Sequence, residues 1–352
     1  MIDWTKKKNK GEWSETLCLL KILCSPNWKI FLGDKEGNST NKHAEVEEIK
    51  SLESDAVTYV NLSEEYFSLG NKKVNKSETK EIFDLFFKEV VDSNENPLLI
   101  TNPKIRSFCE AIKIPSKAPA NIKSDLLFKF LNEDLFEGVS IKSLIAGRPS
   151  IINSSSHTRI SYSLSVNEDF DIGEANPKKV KNTKNGPKES SDTKGTVKYI
   201  DNKTVGWTSS IESDTFRATL KRINPDLPEI IGKLVFYSYL DTNRSFNFLF
   251  DNYDFTDEDK EEFKRFLLIY SSGVMPKEEW DGSDPCKCTI NLSKEGGLVL
   301  YRASEENSTY EDYLFQNTSL DSPSSRTSGI KDHVIESNNE FKLLLSLNIR
   351  SK

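Results

Sequence analysis

Residues 124–144 read SDLLFKFLNEDLFEGVSIKSL, a run dense in β-forming residues that is interrupted only by Asn132-Glu133-Asp134, a hairpin turn. With Glu133-Asp134 as a two-residue turn, Asn132 faces Leu135 and antiparallel register brings Asp125 opposite Lys142. Side chains alternate along a strand, so Asp125, Leu127, Ser140 and Lys142 share one face, while Leu126, Phe128, Phe130, Val139 and Ile141 share the other. The second face is core; the first carries a carboxylate, a hydroxyl and an amine. The plain structural reading is a cross-strand ion pair between Asp125 and Lys142, worth well under about 1 kcal/mol when exposed. The chemical reading is hydrolysis of a phosphodiester, which needs carboxylates to hold a divalent cation and a lysine to orient water or stabilise charge.

Working outward, Trp13, Leu17, Leu20 and Cys24 recur at helical spacing, which predicts a helix over residues 12–24 that ends at Ser25-Pro26. Residues 33–55 are polar and read as loop. Apolar stripes predict helices over 78–91 and 103–112, the second preceded by the strand-like Leu98-Leu99-Ile100. Beyond the hairpin, residues 178–198 carry seven lysines against Glu189 and Asp192 in a Gly, Ser, Asn and Thr background. Such a segment reads either as a solvated flexible loop or as a flexible clamp on phosphates. Residues 213–239 look helical with a break at Asn224-Pro225, residues 257–270 look helical again, and residues 288–349 alternate short strands with turns. No internal repeat is present.

The 352 residues, 36% hydrophobic and 10% aromatic, suffice for one large core or two modest ones. No stretch approaches the roughly 18 uninterrupted apolar residues of a membrane span, and the first residues lack the apolar run of a signal peptide, so a cytoplasmic protein with no membrane partner is expected. Cys18, Cys24, Cys109, Cys286 and Cys288 lack histidines at metal-ligand spacing and read as free thiols. His43, His157 and His333 are isolated and read as surface or packing residues. A net charge of −7 gives no general support for a polyanionic partner, so any such contact must rest on local charge.

The hairpin resembles the acid-and-lysine strands of PD-(D/E)xK nucleases, with one departure: Ser140 stands where that superfamily usually carries Asp or Glu. Glu15 is the candidate to replace that ligand, since Lys10-Gly11-Glu12-Trp13-Ser14-Glu15 is similar to a Lys-Gly-x-x-x-Glu helix start in several of those nucleases. Taken alone, Glu12 and Glu15 are also ordinary first-turn acids favoured by the helix dipole.

Three blocks together resemble the HpaII-type restriction endonucleases across nearly the whole chain. The first is residues 9–15 with the apolar run that follows. The second joins Lys123-Ser124-Asp125-Leu126 to Gly138-Val139-Ser140-Ile141-Lys142-Ser143 and ends near Asn153-Ser154. The third runs from Tyr310 through Arg326 and closes with Leu347-Asn348-Ile349-Arg350. That family shows Gly-Phe-Ser-Ile-Lys-Ser at the catalytic strand, so the serine at 140 is expected within it.

The resemblance implies an α/β fold of the restriction-endonuclease-like (PD-(D/E)xK) kind, a mixed β-sheet core flanked by helices with an additional C-terminal α+β region. It implies a nuclease core over 1–170 containing the catalytic hairpin, a basic flexible loop over 171–200, and a DNA-contacting region over 201–352 packed on the core. The expected activity is magnesium-dependent double-strand cleavage of DNA at a short palindrome, CCGG for the enzyme that gives the family its name. A cognate DNA methyltransferase would be a functional partner protecting the host, and a homodimer would match a palindromic site.

In this scheme Asp125 and Glu15 hold Mg2+, Lys142 positions or helps to deprotonate the attacking water, and Ser140 completes the catalytic set. Arginine suits guanine edges and asparagine suits adenine, so Arg148, Asn153, Ser143 and Arg326 are the candidate DNA contacts. Each also has a structural reading as a turn, cap or surface residue. Three rival readings remain: a DNA-binding protein of the same fold without catalysis, a non-specific or repair nuclease, and a non-nuclease scaffold whose strands merely resemble the motif.

Overall fold

Asn9 fixes where the first helix begins. Its side-chain oxygen accepts from the Glu12 amide at 2.8 Å while Glu12 Oε2 accepts from the Asn9 amide at 3.1 Å, a reciprocal cap. Helix α1 (Lys10–Leu23) then buries Trp13, Leu17, Leu20 and Leu23. The structure, a computed structural model, describes residues 2–52, 57–115, 124–145, 147–183, 186–321, 334–337 and 340–352. After α1 come β1 (Lys29–Gly33), β2 (Ser39–Lys50), β3 (Thr58–Asn61), β4 (Tyr66–Leu69), β5 (Lys72–Asn75), α2 (Lys76–Asp92), α3 (Pro103–Ala111), β6 (Leu126–Phe130) and β7 (Phe136–Ser143). The chain continues through β8 (Ser150–Ile152), β9 (Arg159–Val166), α4 (Ile172–Ala175), β10 (Lys178–Thr183), β11 (Gly186–Ser191), α5 (Thr193–Lys203), β12 (Thr204–Ile211), α6 (Asp214–Ile223), α7 (Leu227–Tyr237), α8 (Phe246–Asn252) and α9 (Asp257–Ser271). It ends with β13 (Cys288–Leu292), β14 (Leu298–Arg302), α10 (Ala303–Asn317), β15 (Thr318–Leu320), β16 (Val334–Ser337), β17 (Glu340–Ser346) and β18 (Ile349–Ser351).

The chain divides into two compact units. The first is Met1–Pro149, Ser271–Val274 and Asp284–Tyr313; the second is Ser150–Tyr270, Met275–Ser283 and Leu314–Lys352. The expected boundary at residue 170 therefore moves to 149, and residues 284–313 return to the first unit because their strands complete its sheet.

The first unit is built on a mixed sheet of order β1-β14-β13-β7-β6-β2-β3-β4-β5, in which β13 runs parallel to β7 and β14 parallel to β1. The long strand β2 pairs with β1 through its first half and with β6 and β3 through its second. Helices α1 and α2 cover one face, where Trp13, Leu17, Leu20 and Phe86 join Leu126, Phe128, Phe130, Val139 and Ile290 in a single core. The mixed α/β architecture expected from the sequence is present. Strand β2 corrects the reading of 33–55 as loop: only Ala44, Val46 and Ile49 of its side chains enter the core, so the rest are polar and hide the strand. Leu98-Leu99-Ile100 forms no strand, only an isolated bridge from Leu98 to Lys8.

The hairpin forms, with a different register. Leu126 pairs with Val139 and Lys129 with Phe136, so the loop is longer than two residues and Ser140, not Lys142, is level with Asp125. Asn132 adopts φ 65° and the Glu133 amide donates to Phe130 O at 3.1 Å, which closes the longer turn. The shift is even, so every side chain keeps the face that alternation assigns it.

The second unit has its own sheets, β12-β9-β17-β16 and β15-β18-β8. Trp207 and Tyr162 pack on Phe236 of α7, and the Tyr162 hydroxyl donates to Gly232 O at 2.8 Å. The break at Asn224-Pro225 falls between α6 and α7 as the sequence predicts. The basic segment 171–200, expected as a loop, instead contains α4, a β10–β11 hairpin and the start of α5. Two of its lysines are spent on acids within the segment, Lys178 on Glu189 at 3.1 Å and Lys179 on Asp192 at 3.0 Å. Another correction is α10, a helix where strands and turns were expected. Among the described residues no helix is long and apolar enough to cross a membrane.

Candidate active site

The opening motif of α1 separates into structural and candidate chemical members. Lys10 Nζ donates to Ser93 O at 2.8 Å at the end of α2, a cation placed on a helix C-terminus, and the Lys10 amide donates to Asn96 Oδ1 at 3.0 Å. Glu12 is the reciprocal cap. Ser14 ties the helix to β7, because Ser143 Oγ donates to Ser14 Oγ at 2.8 Å in a buried contact. Glu15, the next residue, is half-buried.

Asp125 sits one residue ahead of β6. Its amide donates to Val139 O at 2.8 Å, and its carboxylate accepts from the Ile141 amide at 2.6 Å, one residue from Lys142. Two buried thiols report what surrounds it. The Cys18 thiol is pushed far above its ordinary range by burial, with the charges of Asp125 and Glu15 adding to the rise. The Cys286 thiol is pushed up to about 11 by burial; Asp125 adds to that rise, and the Ser124 hydrogen bond and the charge of Lys142 oppose it. Asp125 thus shares one thiol neighbour with Glu15 and another with Lys142.

Gly138 is forced by this crowding. A Cβ there would overlap Ser124 Oγ and come within 2.8 Å of Pro285 O. Ser124 Oγ itself donates to Pro285 O at 3.3 Å and accepts from Cys286 Sγ at 3.4 Å, so the segment before β13 is clamped against the residue before Asp125. Gly138→Ala is expected to destabilise by about 1–3 kcal/mol through overpacking, read as a lower Tm. An unchanged Tm would show that the clamp yields freely.

The other expected site residues distribute differently. Ser140 is 3% exposed, beneath the site rather than open to it. Ser143, expected at the DNA, is a correction: it lies on the core face, bonded to Ser14 and accepting from the Ile145 amide at 3.2 Å. Arg148 is exposed in the first unit, just past the turn in which the Gly147 amide meets Leu144 O at 3.2 Å. Asn153 is exposed in the second unit, where it accepts from Ser150 Oγ at 2.8 Å. Arg326 lies outside the described residues.

Strand β13 brings residues that the sequence reading did not single out. It aligns Thr289 with Ser140 and Asn291 with Lys142. The only signal that points to them is pairing between strands about 150 residues apart, which periodicity does not carry.

The sequence profile of the HpaII restriction endonuclease family matches residues 9–350. Among curated proteins, the type II restriction enzyme HpaII of Haemophilus parainfluenzae is 25% identical over 375 residues, covering 97% of this chain and 98% of that one. No solved structure matches.

Proposed function

Because the chain belongs to the HpaII restriction endonuclease family, and is on that ground a type II restriction endonuclease, a phosphodiester hydrolase, we propose that it makes magnesium-dependent double-strand cuts at a short CCGG-like palindrome. The observation that supports the active-centre assignment is the hydrogen bond from the Ile141 amide to the Asp125 carboxylate, one residue from Lys142; Glu15 and Lys142 each also share a thiol neighbour with Asp125.

Magnesium suits this donor set. Among the described residues no group of three His, Cys, Asp or Glu is arranged to hold a metal. That counts against a closed all-protein cage of the zinc kind, whereas Mg2+ is commonly held by one or two carboxylates with waters and substrate phosphates. Asp125 and Glu15 would hold it, and when bound it supplies charge neutralisation at the phosphate and a lower pKa for water. The Ile141 amide keeps the Asp125 carboxylate aimed at the strand end. Lys142 orients the attacking water and stabilises the charge that builds on the phosphate.

The family likeness and the twofold symmetry of a palindrome support a homodimer acting on cytoplasmic DNA, with a methyltransferase of the same specificity protecting the host. Arg148 and Asn153, both exposed, are the proposed contacts to bases or phosphates. The test is digestion of plasmid DNA by the purified protein with Mg2+. Discrete fragments whose sequenced ends share one motif are expected, with no cutting in EDTA. A smear would point to a non-specific nuclease, and shifted but uncut DNA to a binding protein.

A further inference from the structure

We infer that Asn291 is a catalytic residue of this centre, its carboxamide donating to the scissile phosphate alongside the Lys142 ammonium. The inference rests on the active-centre assignment proposed above. Parallel register pairs Asn291 with Lys142 and Thr289 with Ser140, without a shift along the five paired positions. Paired residues on neighbouring strands, about 4.8 Å apart, present their side chains to the same face. Cys288, Ile290 and Leu292 turn into the core with Val139, which leaves Thr289 and Asn291 on the face of Ser140 and Lys142.

The two pairs differ in what covers them. Thr289 is 3% exposed, as is Ser140, so the inner pair is sealed. Asn291 and Lys142 are both half-buried, and neither side chain has a hydrogen bond or ion pair among the described residues. On its other side Asn291 is paired with Val299, which offers no polar partner. The Asn291 carboxamide is open to solvent, so a ligand that enters the site can take its hydrogen bonds. Beside a lysine at the mouth of a site for a phosphodiester, that ligand is an anionic oxygen. The carboxamide NH2 donates to it without giving up a proton, while Lys142 supplies the charge.

The experiment uses the full-length protein and compares Asn291→Ala, Asn291→Asp and Lys142→Ala. It measures single-turnover cleavage of a DNA duplex carrying the site across pH, binding of the same duplex without metal, and Tm. Asn291→Ala is expected to cleave about 10- to 100-fold more slowly, with binding and Tm near those of the unaltered protein. Asn291→Asp retains the shape but replaces the donating NH2 by a carboxylate that repels the phosphate, so it is expected to cleave at least as slowly as Asn291→Ala. Cleavage by either Asn291 variant within twofold of the unaltered rate overturns the inference while the rest of the centre stands. Full activity in Lys142→Ala instead removes the centre itself and the role of Asn291 with it. If the alanine variant does not fold, the isosteric aspartate decides the question.

Discussion

Lys142→Ala is expected to lower the cleavage rate by about 10^2- to 10^4-fold while DNA binding without metal changes little. The lysine is half-buried on an inner strand, and among the described residues its side chain forms no hydrogen bond or ion pair, so its loss breaks no bond of the fold. Its charge reaches Cys286, the thiol that also senses Asp125. Lys142→Arg is not expected to rescue, because a planar fork does not replace a compact ammonium at this distance. Asp125→Asn makes the matching test on the acid: the side chain keeps an oxygen for the Ile141 amide but loses its charge, so Tm should hold while cleavage collapses. Both variants are read by plasmid digestion beside a gel-shift assay. Normal cutting by Lys142→Ala would end the assignment of the catalytic hairpin.

The second large effect is on stability. Arg302, with 6% of its side chain exposed, donates through Nε to Glu137 Oε2 at 2.9 Å, pairs with Glu133, and lies 3.9 Å over the Phe130 ring. It thereby bolts the hairpin to β14. Arg302→Ala strands Glu137, whose side chain is 12% exposed, and is expected to cost about 2–4 kcal/mol, a drop in Tm of about 5–15 °C. The more exposed Glu133 adds little to that figure. Burial pushes the Glu137 carboxyl up, but the hydrogen bonds from Arg302 and the Cys288 thiol, with the charges of Arg302 and Lys287, outweigh it, and the group ends below its usual value of 4.5. Its stabilisation is therefore present above that value and lost as pH falls through the lower value of the folded state. Accordingly the gap in Tm between the unaltered protein and Arg302→Ala should narrow on acidification below about pH 4.5. A gap that stays constant would show that the network adds nothing through its charge. Replacing Arg302, Glu133 and Glu137 together by apolar residues of similar size should recover much of the loss.

The sequence carries the faces of the hairpin better than its register. The period-two placement of Leu126, Phe128 and Phe130 between Asp125, Leu127 and Lys129 assigns the core side correctly, and an even slip leaves that outcome intact. The turn chemistry was less legible, because Asn132 reaches its left-handed conformation in a longer loop than the two-residue turn the sequence suggests. Helices α1, α2, α6, α7 and α9 announce themselves through caps, prolines and apolar stripes, all local signals. Strand β2 does not, since its outward face is nearly all polar. The Arg302 network, Asn291 and the Ser124–Pro285 clamp depend on contacts spanning roughly 145 to 170 positions, which no local pattern encodes. Of the opening motif, Lys10 and Glu12 carry structure, and only the cap geometry separates them from Glu15.

Strand β7 gains its second neighbour only when β13 arrives, and that strand lies far downstream of the first. On the ribosome, the lysine-bearing strand therefore waits as an unsupported edge through synthesis of residues 144–287, and late pairing of this kind is slow to form. A polypeptide released before residue 284 is expected to leave plasmid DNA intact, and expression of that truncated form would reveal any activity it retains. For a nuclease, a sheet that gains its inner strand only after residue 288 holds back activity while most of the chain is still being made.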